Sequence, residues 1–527
     1  MKNRFKITIF IILIITAITS CKRSFNDLYN NQNKPLAVPS SLLFNGILND
    51  MYEAPYTSKE KWSQFFITNY AYYGDNRYDF GSGDDYYQTL KNVVKMEEEA
   101  KTVGLPDGNV YSALAKFFKA YLFSKMSLEM GDLPMTDALK GTNNLTPNYD
   151  PQKSIFQQSF SWLDSANTEL AALIAVQDNN LKGDIYYGND LTKWQKLVNT
   201  YHLRLLIELS KQAGDADLNL SGQFQTILSN KTNYPVMEDI SDNLQYTFIH
   251  PTNDYPNNPG NFGFNALRDN CSATYVGLLT SLKDPRVFVT SEPATALVTG
   301  GTSPTSFDAF VGADPGEDLG TMYQKANAGQ YSLLNRWRYY QTYTGEPSIQ
   351  VGYAEMLFNI AEAINRGWIS SGPLGTAEDY YMAGIKASMS FYGIPESGPF
   401  NVYFLQSGSP GSTAIYNTYT VNVDFNTYYN QPFVKYAGDD ATGLSEILQQ
   451  KYIALYRHSG LEGYYQFRRT GVPLFTTGPG TGNSGRIPLR FKYPDNEKTA
   501  NAKNYQAALQ SQYGGNDDIN GTMWLLK

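Results

Sequence analysis

The sequence contains 527 residues, of which 14% are aromatic and 17% charged, and its formal net charge is −8. Because the acidic chain lacks the basic excess that binds phosphate backbones, a nucleic-acid partner is disfavoured. The 41 tyrosines favour surfaces that touch sugars or peptides, although packing in helical cores is the simpler explanation for most of them.

The N-terminal segment has the features of an export signal. Three basic residues precede an apolar run at 7–18, which is too short to span a bilayer. The run ends in Ile-Thr-Ser directly before Cys21, and this pattern resembles a bacterial lipobox. We therefore predict a lipoprotein signal peptide at 1–20, a lipid on Cys21 and a polar tether over 21–40. The alternative is an ordinary secretory signal followed by a chance cysteine.

Helical spacing of apolar residues predominates from Ser41, and we interpret 41–527 as a single α-helical domain. A tyrosine-rich stretch at 68–87 has no helical period and predicts a loop, followed by a helix from about Tyr86. The spacing predicts further helices at 42–51, 62–70, 110–130, 154–176, 191–213 and 444–458.

The segment 348–393 predicts two helices joined by a turn. Thr376 is a candidate N-cap of the second helix with Asp379 three residues later, and Gly393 is a candidate stop. Small residues lie where the helices would cross and large ones surround them, as in a tetratricopeptide hairpin. Such a hairpin cannot bury its apolar face alone, so other helices should pack against it.

Two segments interrupt the helical pattern, at about 214–347 and 394–443, and both are rich in turn-forming and polar residues. Alternation at 419–426 predicts a short strand in the second segment. Because helical patterns resume after each segment, we interpret them as loop-rich excursions from one fold and not as linkers.

The sequence contains no specific catalytic motif. Its three histidines, at 202, 250 and 458, form no H-E-x-x-H pair, and no G-x-S-x-G elbow is present. The G-x-G-x-x-G match at 480–485 lacks a preceding strand and leads into a proline, which disfavours nucleotide binding. We therefore predict a binding protein with no catalytic residue, metal or cofactor, although paired carboxylates leave a glycosidase open.

Several segments resemble the SusD/RagB family of nutrient-binding outer-membrane lipoproteins, and they occur in the family's order. Trp194, Asn199 and Arg204 are similar to the W–N–R helix of its divergent branch. The other matching segments are GDLP at 131–134, DPR at 284–286, YAEMLFNIAEA at 353–363, AEDYYMAGIKASM at 377–389, RRTGVP at 468–473 and RIPLRFKYP at 486–494.

The resemblance implies a mainly α-helical, tetratricopeptide-like fold whose loop-rich excursions form the ligand face. It implies a lipid anchor at the cell surface and capture of oligosaccharides for a SusC-like TonB-dependent outer-membrane transporter. Oligopeptides are the alternative ligand within the same family. A surface glycoside hydrolase and a pure repeat scaffold are the rival interpretations from other classes.

We expect the ligand contacts on two irregular stretches, at 70–78 and 337–343. Aromatic faces fit the C–H patches of sugars, and planar polar groups beside them can bind the hydroxyls. The alternative is that these side chains pack the loops or contact the transporter, in which case the ligand platform lies at 403–429. The candidate ligand-binding residues are Tyr72, Tyr73, Asp75, Asn76, Arg77, Tyr78, Trp337, Arg338 and Tyr340.

Overall fold

The computed structural model describes residues 38–409, 413–456 and 458–527. The predicted signal peptide, Cys21 and nearly all of the tether lie outside these residues. Within the described ranges, no helix combines the length and the hydropathy that crossing a membrane requires.

The described chain is mainly helical, which confirms the predicted fold class. Short segments of 3-10 helix occur between the α-helices, among them Ala71–Tyr73. The α-helices are α1 (Ser40–Asp50), α2 (Ser58–Trp62), α3 (Tyr87–Thr102), α4 (Val110–Met130), α5 (Gln152–Ala175), α6 (Leu191–Glu208), α7 (Leu220–Ser229), α8 (Phe262–Asn265), α9 (Ala273–Ser281), α10 (Val287–Thr290), α11 (Thr295–Thr299), α12 (Leu319–Asn327), α13 (Arg336–Tyr340), α14 (Tyr353–Asn365), α15 (Ala377–Phe391), α16 (Phe425–Tyr429), α17 (Ala441–Ala454), α18 (Glu462–Thr470), α19 (Glu497–Ala500) and α20 (Ala502–Tyr513).

The long helices pack on one another in chain order. Helix α3 packs on α4, α4 on α5 and α5 on α6, while α1 packs against α3. After the first excursion, α14 packs against α15 and α17, and also against the distant α6. The second group of helices therefore continues the stack of the first, as tetratricopeptide-like pairs require to bury their apolar faces.

Capping residues explain where two of the central helices begin. The Asn109 side chain accepts hydrogen bonds from the first free N–H groups of α4. At α15, the Thr376 hydroxyl accepts from the Asp379 N–H, and the Asp379 carboxylate accepts from the Thr376 N–H. The predicted capping box is therefore confirmed.

Buried ion pairs tie the helices together inside a continuous core that extends from Phe44 to Leu526. Removing one partner of such a pair leaves a buried charge uncompensated, so these residues have a structural role. The pairs involve the arginines of three motifs: Arg204 with Glu355, Arg286 with Asp284, and Arg469 with Glu362.

The described strands form three two-stranded antiparallel sheets. The longest pairing is a hairpin in which Ser397 lies opposite Asp424 and Leu405 opposite Tyr416, and it confirms the strand predicted near 419–426. The sheets pair β1 (Phe66–Thr68) with β3 (Asp269–Cys271), β2 (Leu244–Tyr246) with β4 (Ser348–Val351), and β5 (Ser397–Leu405) with β6 (Tyr416–Asp424).

The helix predicted at 62–70 is wrong, and the first helix of the predicted hairpin is wrong in part. Helix α2 ends at Trp62, and the apolar residues that follow it form the buried strand β1. The first helix of the predicted hairpin begins only at Tyr353, because Ser348–Val351 pairs with β2. A short buried strand carries apolar residues on both faces, so its pattern resembles that of a buried helix.

Candidate functional site

The first predicted ligand stretch is extended from Asp75 to Phe80, and its side chains alternate between solvent and core. Asp75 and Arg77 are exposed, whereas Asn76 and Tyr78 are buried. Arg77 donates from Nε to the Asp79 carboxylate at 2.6 Å, and this hydrogen bond raises the pKa of Arg77.

Asn76 and Tyr78 form hydrogen bonds that hold the loop in place. The Asn76 amide accepts from the Thr68 N–H and donates to the Thr68 carbonyl, both at 2.9 Å. The Tyr78 hydroxyl donates to the Trp62 carbonyl and accepts from the Gln64 amide. Because both side chains point into the core, the prediction that they face a ligand is corrected, and we remove them from the candidate site.

An exposed tyrosine cluster lies beside this segment. Tyr72 is 83% exposed, and the Tyr70 ring lies 5.3 Å from the Tyr323 ring between centroids. The Arg268 guanidinium covers the Tyr70 ring at 4.7 Å. We call Tyr70, Tyr72 and Tyr323 the tyrosine patch; Tyr73 belongs to the same 3-10 turn, and its side chain is not described.

The second predicted stretch forms the short helix α13. The Asn335 side chain accepts from the Arg338 N–H at 2.8 Å and so caps this helix. Trp337 and Arg338 are partly exposed, but Tyr340 is 2% exposed and its ring packs edge-on against Phe262. Its burial corrects the prediction for Tyr340, because a helix this short turns one side toward the core.

The β5–β6 hairpin holds Trp337 in place. The Tyr403 ring stacks on Trp337 with a centroid distance of 4.4 Å and an interplanar angle of 23°. The Tyr416 ring meets Trp337 edge-on at 5.2 Å. Asn335 also donates from its amide to the Tyr403 carbonyl at 3.2 Å, which joins the helix to the hairpin.

A cavity of about 500 Å³ opens beside this stack, within the usual size range of ligand sites. We call it the aromatic cleft. Aromatic side chains and planar polar groups alternate around it. Its aromatic lining residues are Phe288, Trp337, Tyr392, Phe400 and Tyr403, and its polar ones are Asn335, Arg338, Gln341, Thr342, Glu346 and Asn401.

Arg338 is fixed at the inner wall of the aromatic cleft. Its Nε donates to the Glu346 carboxylate at 2.5 Å, and its guanidinium lies 4.6 Å from the Tyr392 ring centroid. Burial lowers the pKa of Arg338, but the Glu346 charge outweighs it, so the net shift of the pKa is upward. The arginine is therefore charged and paired.

The aromatic cleft suits a sugar better than a neighbouring cavity of about 480 Å³ does. The neighbouring cavity shares Phe288 and is lined mainly by apolar side chains, among them Phe307, Met389 and Val421. A sugar needs aromatic faces for its C–H groups and hydrogen-bonding partners for its hydroxyls, and the aromatic cleft offers both.

The structure separates the two predicted stretches. Trp337 and Arg338 line the aromatic cleft, and Tyr72, Asp75 and Arg77 are exposed near the tyrosine patch. Sequence reasoning missed most of the cleft, because its other walls come from distant parts of the chain. The lining residues absent from the prediction include Phe288, Tyr392, Phe400 and Asn401, whereas Tyr403 belongs to the alternative platform at 403–429.

Neither of the two cavities, as the structure describes them, has a group of side chains placed to hold a metal ion. Across the described ranges, no group of three or more His, Cys, Asp or Glu side chains is placed to hold a metal ion. His458 contacts the Glu346 and Glu60 carboxylates inside the core.

Comparison with known proteins gives one consistent result. A model of the SusD-like family, described as starch-binding and associating with the outer membrane, matches residues 31–494. A search of curated proteins gives no significant match.

Solved structures resemble the chain over nearly its whole length. A SusD homologue of Bacteroides fragilis NCTC 9343 is 31% identical, with a TM-score of 0.79 over 93% of this chain and all of that one. A Bacteroides vulgatus ATCC 8482 protein, whose description suggests an outer membrane protein involved in nutrient binding, is 30% identical with a TM-score of 0.76 over the same shares. A chitin-binding protein is 25% identical, with a TM-score of 0.68 over 92% of this chain and 99% of that one.

Proposed function

The chain belongs to the SusD-like family, and from this premise we propose that it captures oligosaccharides at the cell surface and passes them to a SusC-like TonB-dependent transporter. The observation that carries the ligand part of this proposal is the Trp337–Tyr403 stack at the wall of the aromatic cleft. The tyrosine patch provides a second exposed aromatic surface to which a longer chain could extend.

The composition of the aromatic cleft supports a glycan over an oligopeptide. The C–H groups of a sugar ring carry a slight positive charge and fit over the negative face of an aromatic ring. Gln341 and Asn401 offer amides, which both donate and accept, to the hydroxyl groups around that ring. The names of the family and of one relative, starch-binding and chitin-binding, point to α-glucans and N-acetylglucosamine polymers as first probes.

Capture without cleavage is supported by the acidic groups of the cleft. Glycosidases need two carboxyl groups on either side of the bond that is broken. Among the described lining residues Glu346 is the one acid, and it is paired with Arg338 and His458. We therefore propose a binding protein with no catalytic residue.

Calorimetric titration of the purified protein with maltohexaose, chitohexaose and a neutral hexapeptide tests the ligand class. Chromatography of the same mixtures tests for products. The proposal expects saturable binding of at least one oligosaccharide with no shortened product. Binding of the peptide alone supports the oligopeptide alternative, shortened sugars support a hydrolase, and no binding of any probe supports a scaffold.

The location and the partner are proposed from the N-terminal pattern and the family. A lipid on Cys21 would hold the protein at the outer membrane, and the tether after it would let the helical stack sit on a transporter. Purification of the full chain from its own outer membrane should recover a TonB-dependent transporter in about equal amount. Recovery of the chain alone, under mild detergent, argues against this partner.

A further inference from the structure

The charge of Arg338 is already compensated before a ligand arrives. Its side chain is 18% exposed, and that of its partner Glu346 is 5% exposed. The guanidinium is enclosed by the Tyr392 ring at 4.6 Å and the Phe391 ring at 5.5 Å. The arginine therefore faces the aromatic cleft as half of an ion pair and not as an isolated cation.

Glu346 is itself fixed from its other side. Its Oε1 lies 3.0 Å from Nε2 of His458, whose Nδ1 lies 3.1 Å from the Glu60 carboxylate. The Tyr255 hydroxyl contacts the same Nε2 at 2.9 Å. The Glu346 carboxylate is therefore buried between Arg338 and His458, and this burial keeps it beside Arg338.

We propose that the aromatic cleft selects uncharged oligosaccharides and rejects both acidic and cationic ones, an inference that rests on the proposed function. Among the described lining residues, Arg338 and Glu346 are the charged ones, and their charges cancel. A carboxylate, sulfate or ammonium on a ligand would lose its water and meet a group that is already paired. A neutral sugar loses only the hydration of its hydroxyls, which the amides of the cleft can replace.

Matched pairs of ligands test this selectivity on the wild-type protein. Chitohexaose and its fully deacetylated form differ by ammonium groups, and maltohexaose and an oligogalacturonate differ by carboxylates. In each pair that the protein binds, the neutral sugar should bind at least about tenfold more tightly than the charged one. Its dissociation constant should stay within about twofold between about 50 and 500 mM NaCl.

Variants of the Arg338–Glu346 ion pair test whether this pair causes the selectivity. Glu346→Gln uncovers the charge of Arg338, so the preference for neutral over acidic sugar should fall by at least about tenfold. The double variant Arg338→Gln, Glu346→Gln should restore the neutral preference. Glu396→Gln, which breaks the exposed pair with Lys386, is the matched control and should change nothing. Arg338→Gln alone leaves the charge of Glu346 unpaired, so it should shift the preference toward cationic sugars. This variant tests the inference if Glu346→Gln does not fold.

The outcomes separate this inference from the proposed function. If no oligosaccharide binds, the proposed function fails. If neutral and charged sugars bind equally well, and Trp337→Ala weakens both, the function stands and the selectivity inference is overturned. It is likewise overturned if folded Glu346→Gln keeps the wild-type preference.

Discussion

Glu362 shows how a single side chain links the fold to pH. It lies at 0% exposure and accepts hydrogen bonds from Arg469 at 3.0 Å and from Arg366 at 2.8 Å. Burial alone would raise its pKa, but the two guanidinium groups outweigh burial and lower the pKa from 4.5 to about 2. Its stabilising effect is therefore complete above pH 4.5 and is lost as the pH falls toward 2.

Glu362→Gln should lower the free energy of unfolding at pH 7 by about 3–5 kcal/mol, because it leaves Arg469 buried without its counter-charge. The variant should also lose less stability than the wild type as the pH falls from about 4.5 to 3. Urea unfolding across this range measures both effects, with exposed Glu396→Gln as the control. Parallel stability curves for variant and wild type would contradict this account of the pKa.

Trp194 belongs to the scaffold and not to the site. Its ring is fully buried among aromatic rings that include Phe44, Phe117 and Tyr187, and its Nε1 donates to Asp184 at 2.8 Å. Trp194→Ala should cost about 3–5 kcal/mol of stability and leave the ligand affinity of the folded fraction unchanged. Thermal unfolding and titration measure the two quantities. A large loss of affinity at an unchanged melting temperature would refute this assignment.

Individual residues show which parts of the candidate site could not be predicted from the sequence. Composition alone identified the stretch at 70–78, but the exposed and buried sides of an extended segment depend on its register. Asn76 and Tyr78 were therefore assigned to the wrong side. Trp337 and Arg338 were predicted because an aromatic face and a planar polar group suit a sugar, and no local pattern indicated that Glu346 pairs with Arg338.

At the scale of elements, the crossing of α14 and α15 depends on a glycine. A Cβ added at Gly384 would lie 2.7 Å from the Phe358 ring, which fills the gap between the two helices. Gly384→Ala should therefore lower the free energy of unfolding by about 1–3 kcal/mol, despite the better helix propensity of alanine. Gly277 in α9 has open space at its Cβ position, so Gly277→Ala should be stabilising by about 0.5–1 kcal/mol. Denaturant unfolding measures the free energy of unfolding of both variants. Equal changes in the two variants would contradict the close packing of Gly384 against Phe358.

Elements with a strong local signal were predicted well. Helix α4 spans the predicted 110–130, and α15 begins at its predicted capping box. The strands were predicted poorly, since each depends on a partner that is distant in sequence. Strand β1 pairs with β3 about 200 residues later, and no local pattern in 62–70 carries that information.

At the scale of the whole molecule, the proposed ligand face lies where the excursions return to the helical stack. The aromatic cleft combines α10, α13, the loop after α15 and strand β5, which come from both excursions and the helix pair between them. The resemblance implied that the excursions form the ligand face, and this stays a prediction. The sequence could not predict which residues meet there, because that depends on how the hairpin folds back onto α13.

The proposed lipid on Cys21 determines where the whole protein is located. Among the described residues, the core begins at Phe44, after the predicted tether, and we expect the tether to contribute little to it. Cys21→Ala should therefore give a soluble protein with an unchanged melting temperature. Ser20→Ala, which keeps a small residue before the cysteine, should stay in the membrane fraction as the control. If Cys21→Ala also stays there, the lipid anchor is wrong.

The most direct test of the central claim is the affinity of Trp337→Ala for the best-binding oligosaccharide. The account predicts that this affinity falls by at least about tenfold, because the variant loses the indole ring that lines the aromatic cleft. Phe433→Ala, which removes a 74% exposed ring outside the cleft, should bind as the wild type does. Wild-type affinity in folded Trp337→Ala would contradict the account and favour the alternative platform at 403–429.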